Sequence, residues 1–157
     1  IVEAGYKCNM TDIVAAIGQV GLENYDVETL PKRKNICDKY SASLGQYAWA
    51  EIPLFKSATN SIESSYHLYP LRIKGISSEQ RDQIIQSISE KEVAVNVHYM
   101  PLPMLTAFKS DFDIKDFPQT YANYACEISL PVYFTLTDEQ VQEVISAVSE
   151  SVQTVLS

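Results

Sequence analysis

No run in this 157-residue sequence is apolar over the roughly 18 to 20 residues that a bilayer-spanning helix needs, and no targeting-type apolar segment is present. Cysteine is scarce: Cys8, Cys37 and Cys126 are far apart, odd in number and without a Cys-x-x-Cys pair. A disulfide framework and a zinc site are therefore not expected, no metal ligands are assigned, and a reducing cytoplasm is the compartment that suits such thiols. Positive charge is also short, with 12 Lys and Arg against 20 Asp and Glu and a net charge of −8. That balance excludes a nucleic-acid backbone or an anionic membrane as the main partner, because both require a basic surface. Dinucleotide fingerprint, P-loop and His-Glu-x-x-His are all missing. The two histidines, His67 and His98, have no Cys, Ser or carboxylate partner at a recognisable spacing, so no nucleophilic catalytic residue is assigned.

What is present suits one globular domain: 46% hydrophobic and 20% charged residues, in a chain long enough to bury a core. The ten tyrosines, lacking a basic groove, are expected at core edges, with the ring inside and the hydroxyl wet. Thr11 is placed to cap a helix from about Asp12 to Leu22, where Ile13, Ala16, Ile17 and Val20 share a face. A second helix is expected from Leu30 to Gln46, with Pro31 in its first turn. Lys32, Arg33, Lys34 and Lys39 form its solvated side, and Ile36, Tyr40 and Leu44 its apolar side. Glu51 to Ser65 has little periodicity and predicts a long connection.

Tyr66 to Ile73 predicts a strand, with Pro70 implying an edge position or a bulge. Ser77-x-x-Gln80 is a capping box opening a helix to about Lys91, with Ile84, Ile85 and Ile88 inward. Val93 to Tyr99 is the clearest predicted strand, with Val93, Val95 and Val97 on one side and Ala94, Asn96 and His98 on the other. A short helix over Met104 to Lys109, a helix from Pro118 to about Ile128 and an extended piece at Ser129 to Val132 follow. Thr137-x-x-Gln140, a second capping box, opens a long closing helix inward-facing at Val141, Val144, Ile145, Val148, Val152 and Val155. The order predicts an α+β class, an α/β-type sandwich in which a small sheet is backed by helices.

Two places carry candidate chemistry. His98 and Tyr99 end a predicted strand ahead of a Pro-rich loop, where α/β folds often place ligand contacts, although a lone strand-end histidine is more often structural. Lys7 and Asn9 stand two apart in an extended approach to a helix N-terminus. Together with free backbone N–H groups they would suit an anion, and the plain alternative is a loop before an N-capped helix.

The segment Gly5-Tyr6-Lys7-x-Asn9-Met10-Thr11-Asp12-x-x-Ala15-Ala16-x-Gly18 resembles a hallmark of the DegT/DnrJ/EryC1/StrS family of pyridoxal-phosphate (PLP) dependent sugar aminotransferases. The resemblance continues, in family order, through Arg33 to Tyr40, His67-Leu68-Tyr69-Pro70 and Val97-His98-Tyr99-x-Pro101-Leu102-Pro103, then Ser129-Leu130-Pro131 and Thr137-Asp138-Glu139-Gln140-Val141. It covers essentially the whole chain. It implies the small C-terminal domain of a fold-type-I aminotransferase, with residues 1–25 as an interdomain, cofactor-contacting region and 26–157 as the sandwich.

In the family the lysine that binds PLP covalently belongs to the large N-terminal domain, and its motif is not in these residues, so no lysine here takes that role. The resemblance implies transfer of an amino group from a donor, usually glutamate, to a nucleotide-linked keto-sugar, in polysaccharide or antibiotic-sugar biosynthesis, by a cytoplasmic homodimer. Asn9 matches the asparagine that reaches the cofactor phosphate of the neighbouring subunit, with Lys7 beside it, and Cys8 stands where an aromatic residue is common. His98 and Tyr99 match the segment lining the nucleotide-sugar entrance, while Pro103 stands where many relatives carry a second histidine. The chain alone is expected to bind PLP weakly or not at all and to be inactive. A sugar dehydratase of the same family, and a non-catalytic nucleotide-sugar or protein-binding module, remain the alternatives.

Overall fold

The computed structural model describes residues 10–59 and 62–157. Helix α1 (Asp12–Glu23) opens where the Thr11 hydroxyl accepts the Val14 N–H, and a π-helical turn over Tyr25–Thr29 leads into α2 (Leu30–Leu44). A three-stranded antiparallel sheet follows, built from β1 (Ala50–Glu51), β2 (Tyr69–Ile73) and β3 (Glu127–Leu130), in the order β1-β2-β3. Between β2 and β3 lie α3 (Ser78–Ser89) and α4 (Pro118–Cys126), and the last helix, α5 (Asp138–Leu156), closes the chain. This is the expected α+β class. Both predicted capping boxes form, with Ser77–Gln80 and Thr137–Gln140 each bonded reciprocally.

The period of two along the strands divides the sheet into unlike faces. Tyr69, Leu71 and Ile73 of β2, with Ile128 and Leu130 of β3, bury against Ile36, Tyr40 and Leu44 of α2, Ile84 and Ile88 of α3, and Val141, Val148 and Val152 of α5. The opposite face carries Pro70 and Arg72 on β2, paired across the ladder with Ser129 and Glu127 on β3. It is polar, and it lies under the candidate site.

Several expectations need correcting. Residues 93–99 do not form a strand: the segment touches the sheet through a single bridge, Asn96 to Ser129, although Val93 and Val95 do pack on the core. Strand β2 starts at Tyr69 rather than Tyr66, which leaves His67 exposed outside it. Pro70 lies in the central strand and not at an edge. Ser129 directs its own N–H and C=O to Asn96, so Pro70–Ser129 is a non-hydrogen-bonded pair. The proline nitrogen thus faces the β1 flank, where β1 has already ended at Glu51. Met104 to Lys109 is no helix; a 3-10 turn at Leu102–Met104, preceded by Pro101 and containing Pro103, is followed by successive turns.

Tyr40, Tyr66 and Tyr69 are core residues rather than core-edge ones, each with its hydroxyl bonded: to the Pro131 carbonyl at 2.9 Å, to Glu63 at 2.8 Å and to Ser41 at 3.1 Å. The side of α2 expected to be solvated is half-buried at Lys32, Arg33 and Lys34; Lys34 pairs with Asp38, and Lys39 with Asp138 of α5.

Candidate functional site

Thr120, Asn123 and Tyr124 fall on one face of α4, and Glu127 continues that spacing as the helix gives way to β3. Facing them are His98 and Tyr99, and the six residues line a pocket of about 290 Å³. The fold thus unites His98 and Tyr99, but not as a strand end: the segment has left the sheet just before them. Lys7 and Asn9 lie outside the described residues.

Each wall of the pocket is fixed by chemistry behind it. Glu127 is only 6% exposed; one carboxylate oxygen accepts the His98 backbone N–H at 3.0 Å, and the other the Ser129 hydroxyl. Arg72, ion-paired with Glu51, donates to Asn123 Oδ1 at 2.7 Å, so Asn123 has its amide N–H groups left to offer a ligand. Buried Arg81 lies 4.8 Å from the Tyr124 ring centroid and donates to the Tyr124 carbonyl at 2.8 Å. The His98 imidazole stands edge-on to the Tyr99 ring, 4.6 Å between centroids. Its Nδ1 is buried without a hydrogen-bond partner among the described residues, a state that a bound polar group or water would relieve.

Next to this pocket, and sharing Thr120, lies an apolar one of about 300 Å³ lined by Leu102, Pro103, Phe112 and Phe117. The polar pocket is therefore lined by a carboxylate, an amide, a hydroxyl, two phenols and an imidazole, with an apolar recess alongside. No lysine or arginine lines either one. Nor, among the described residues, does any cluster of His, Cys, Asp or Glu suit a metal ion. No described helix is long and apolar enough to cross a membrane.

The sequence pointed to His98 and Tyr99 but not to the residues opposite. The spacing Thr120-x-x-Asn123-Tyr124-x-x-Glu127 was a usable signal, since it places four polar side chains on one line of a helix.

The model of the DegT/DnrJ/EryC1/StrS aminotransferase family matches residues 2–149. The chain belongs to this family. It is 32% identical over 155 residues to an uncharacterized protein, MJ1066, of Methanocaldococcus jannaschii, covering 97% of this chain and 39% of that one. With the spore coat polysaccharide biosynthesis protein SpsC of Bacillus subtilis it shares 28% identity over 153 residues, 95% of this chain and 38% of the other. Among solved structures, the PLP form of the putative sugar aminotransferase Spr1654 from Streptococcus pneumoniae superposes with a TM-score of 0.88 at 40% identity, over 100% of this chain and 39% of that one. The chain thus spans about two fifths of the length of the relatives it matches. Its fold is that of one domain of a PLP aminotransferase.

Proposed function

We propose that this chain is the C-terminal domain of a PLP-dependent aminotransferase that places an amino group on a nucleotide-linked keto-sugar, with glutamate as donor, in the cytoplasm. Residues 1–25 form the region that meets the cofactor and the remainder the sandwich. Membership of the family and the likeness to Spr1654 support the reaction class. The observation that carries the substrate assignment is the pocket between α4 and His98. Its amide and hydroxyl groups suit the hydroxyls of a sugar ring, and its aromatic rings suit the ring's apolar face.

The same pocket does not fit PLP. It offers no amine to bind the cofactor covalently, and a buried carboxylate at its wall opposes a phosphate. The cofactor belongs elsewhere in the enzyme, and Asn9, with Lys7, is the group of this chain we assign to its phosphate, reaching it across a homodimer. His98 and Tyr99 are assigned to the sugar substrate.

The test is amine transfer from glutamate to a nucleotide keto-sugar by the enzyme that contains this domain, alongside the 157-residue chain alone. The enzyme is expected to turn over, and the chain alone is expected neither to turn over nor to show a PLP absorbance band. His98→Ala is expected to raise KM for the sugar about tenfold, and Asn9→Ala to weaken PLP retention instead. A PLP-loaded enzyme that transfers no amine to any nucleotide keto-sugar would refute the assignment.

A further inference from the structure

Between β3 and the segment that leads to His98, one rung of the ladder has been replaced. Asn96 and Ser129 exchange both backbone hydrogen bonds, at 3.2 and 2.7 Å. In antiparallel pairing, the next pair to do so, two residues further on each side, would be His98 with Glu127. There the His98 N–H instead donates to the Glu127 side chain, at 3.0 Å from Oε2. The backbone carbonyl of Glu127, which would have received it, faces the Arg81 guanidinium at 3.5 Å. Glu127 Oε1 takes the Ser129 hydroxyl, so the carboxylate is tied to the rung before and to the segment that departs. It is nearly buried, and a carboxylate so placed needs these donors.

We infer that Glu127 is a positioning residue: its carboxylate stands in for the backbone rung at His98, and so holds His98 and Tyr99 away from the sheet and keeps the polar pocket open. The side chain is longer than the direct N–H to carbonyl bond it replaces, and the space this creates is the space lined by His98, Tyr99, Asn123 and Glu127. This also accounts for the end of pairing on the His98 side of the Asn96–Ser129 bridge; on the other side the next partner is Pro131, which has no N–H to donate. Its consequence for substrate rests on the sugar-binding reading of the pocket.

The experiment compares amide and Cα resonances of the 157-residue chain with those of Glu127→Ala and Glu127→Gln. In E127A the His98 N–H is free to bond the backbone carbonyl of residue 127. His98 and Tyr99 should then shift toward strand values, while Leu71, Ile84 and Val148 keep theirs. In E127Q the side-chain carbonyl still accepts from His98 and the NH2 can donate to Ser129, so both residues should keep their wild-type positions. Unmoved His98 and Tyr99 in a folded E127A, or an E127Q displaced as far as E127A, would overturn the proposal. Should E127A fail to fold, Ser129→Ala, which removes the Oε1 anchor, must displace His98 in the same direction; no displacement overturns it equally. In the whole enzyme, E127A should raise KM for the nucleotide keto-sugar about tenfold with kcat changed less than about threefold, and a loss confined to kcat would count against positioning. If the resonances behave as stated but the wild-type enzyme transfers no amine, the functional reading falls and the positioning role stands.

Discussion

Arg81 of α3 reaches under the Tyr124 ring of α4, its guanidinium carbon 4.8 Å from the ring centroid, and donates to the carbonyl of the same residue at 2.8 Å. One buried cation thereby satisfies the end of α4 and stacks on a pocket residue, with Asp82 as its charge partner at 2.7 Å. Removing it uncovers the Tyr124 and Glu127 carbonyls together. Arg81→Leu is expected to destabilise the chain by about 2 to 4 kcal/mol, measured by urea unfolding. Arg81→Lys should recover little, because an ammonium has neither the plane nor the reach of the guanidinium fork.

The core and the first helix should respond very unequally to the same truncation. Ile84 is fully buried between the sheet and α5, so Ile84→Ala should cost about 2 to 5 kcal/mol. Ile13 is 76% exposed on α1, and Ile13→Ala should change stability by less than about 0.5 kcal/mol. Equilibrium unfolding of both variants checks the contrast.

Helix caps give a third measurement. Thr137→Ala removes the side-chain acceptor for the Gln140 N–H and breaks the reciprocal bond, at an expected cost of about 1 kcal/mol. Ser77→Ala should cost a similar amount at α3. The two caps lie on different helices, so the double variant should show the sum within about 0.5 kcal/mol.

How much of this was legible in the sequence depends on whether local chemistry or partner chemistry decided the outcome. The caps at Thr11, Ser77 and Thr137 needed only residues three positions apart, and they formed as expected. The apolar faces of α2, α3 and α5 followed from helical periodicity alone. The strand at Val93–Tyr99 failed because its alternation describes what the side chains can do, whereas pairing depends on what β3 presents to it. Opposite His98 it presents the Glu127 side chain, and opposite Ala94 the chain has reached Pro131, which has no N–H to give. Pro70 failed similarly: its place within the sheet rests on the length of β1, a two-residue strand with almost no signal of its own. His98 and Tyr99 could be singled out from the break at Pro101, but Arg72 and Asn123 meet only because β2 and α4 pack together.

Alkaline pH should weaken the fold. Burial pushes the Cys37 thiol up from 9.0 to about 12, and the Tyr69 phenol up from 10.0 to about 12, both chiefly through desolvation. A raised acid is held neutral in the folded state, so its contribution is intact below the unfolded-state value and is lost as pH climbs toward the folded one. Stability is expected to be level through neutral pH, to begin falling above 9.0 and to keep falling to about 12. Urea midpoints at about pH 8 and about pH 10.5 measure it, and Cys37→Ala should flatten part of the slope. An unchanged midpoint would mean that these groups ionise alike in both states.

The helix α1, whose residues are all exposed, gives the chain two separate clocks. Amides of Leu71 and Ile128 can meet deuterium only when the sheet comes apart. Amides in α1 need no such event: a twelve-residue helix without tertiary cover among the described residues opens on its own, within microseconds, and exchanges almost as a peptide does. A deuterium pulse should therefore label α1 completely while the sheet is still fully protonated. Whatever surface comes to cover Ile13, Ile17 and Val20 will announce itself by slowing the first clock and leaving the second unchanged.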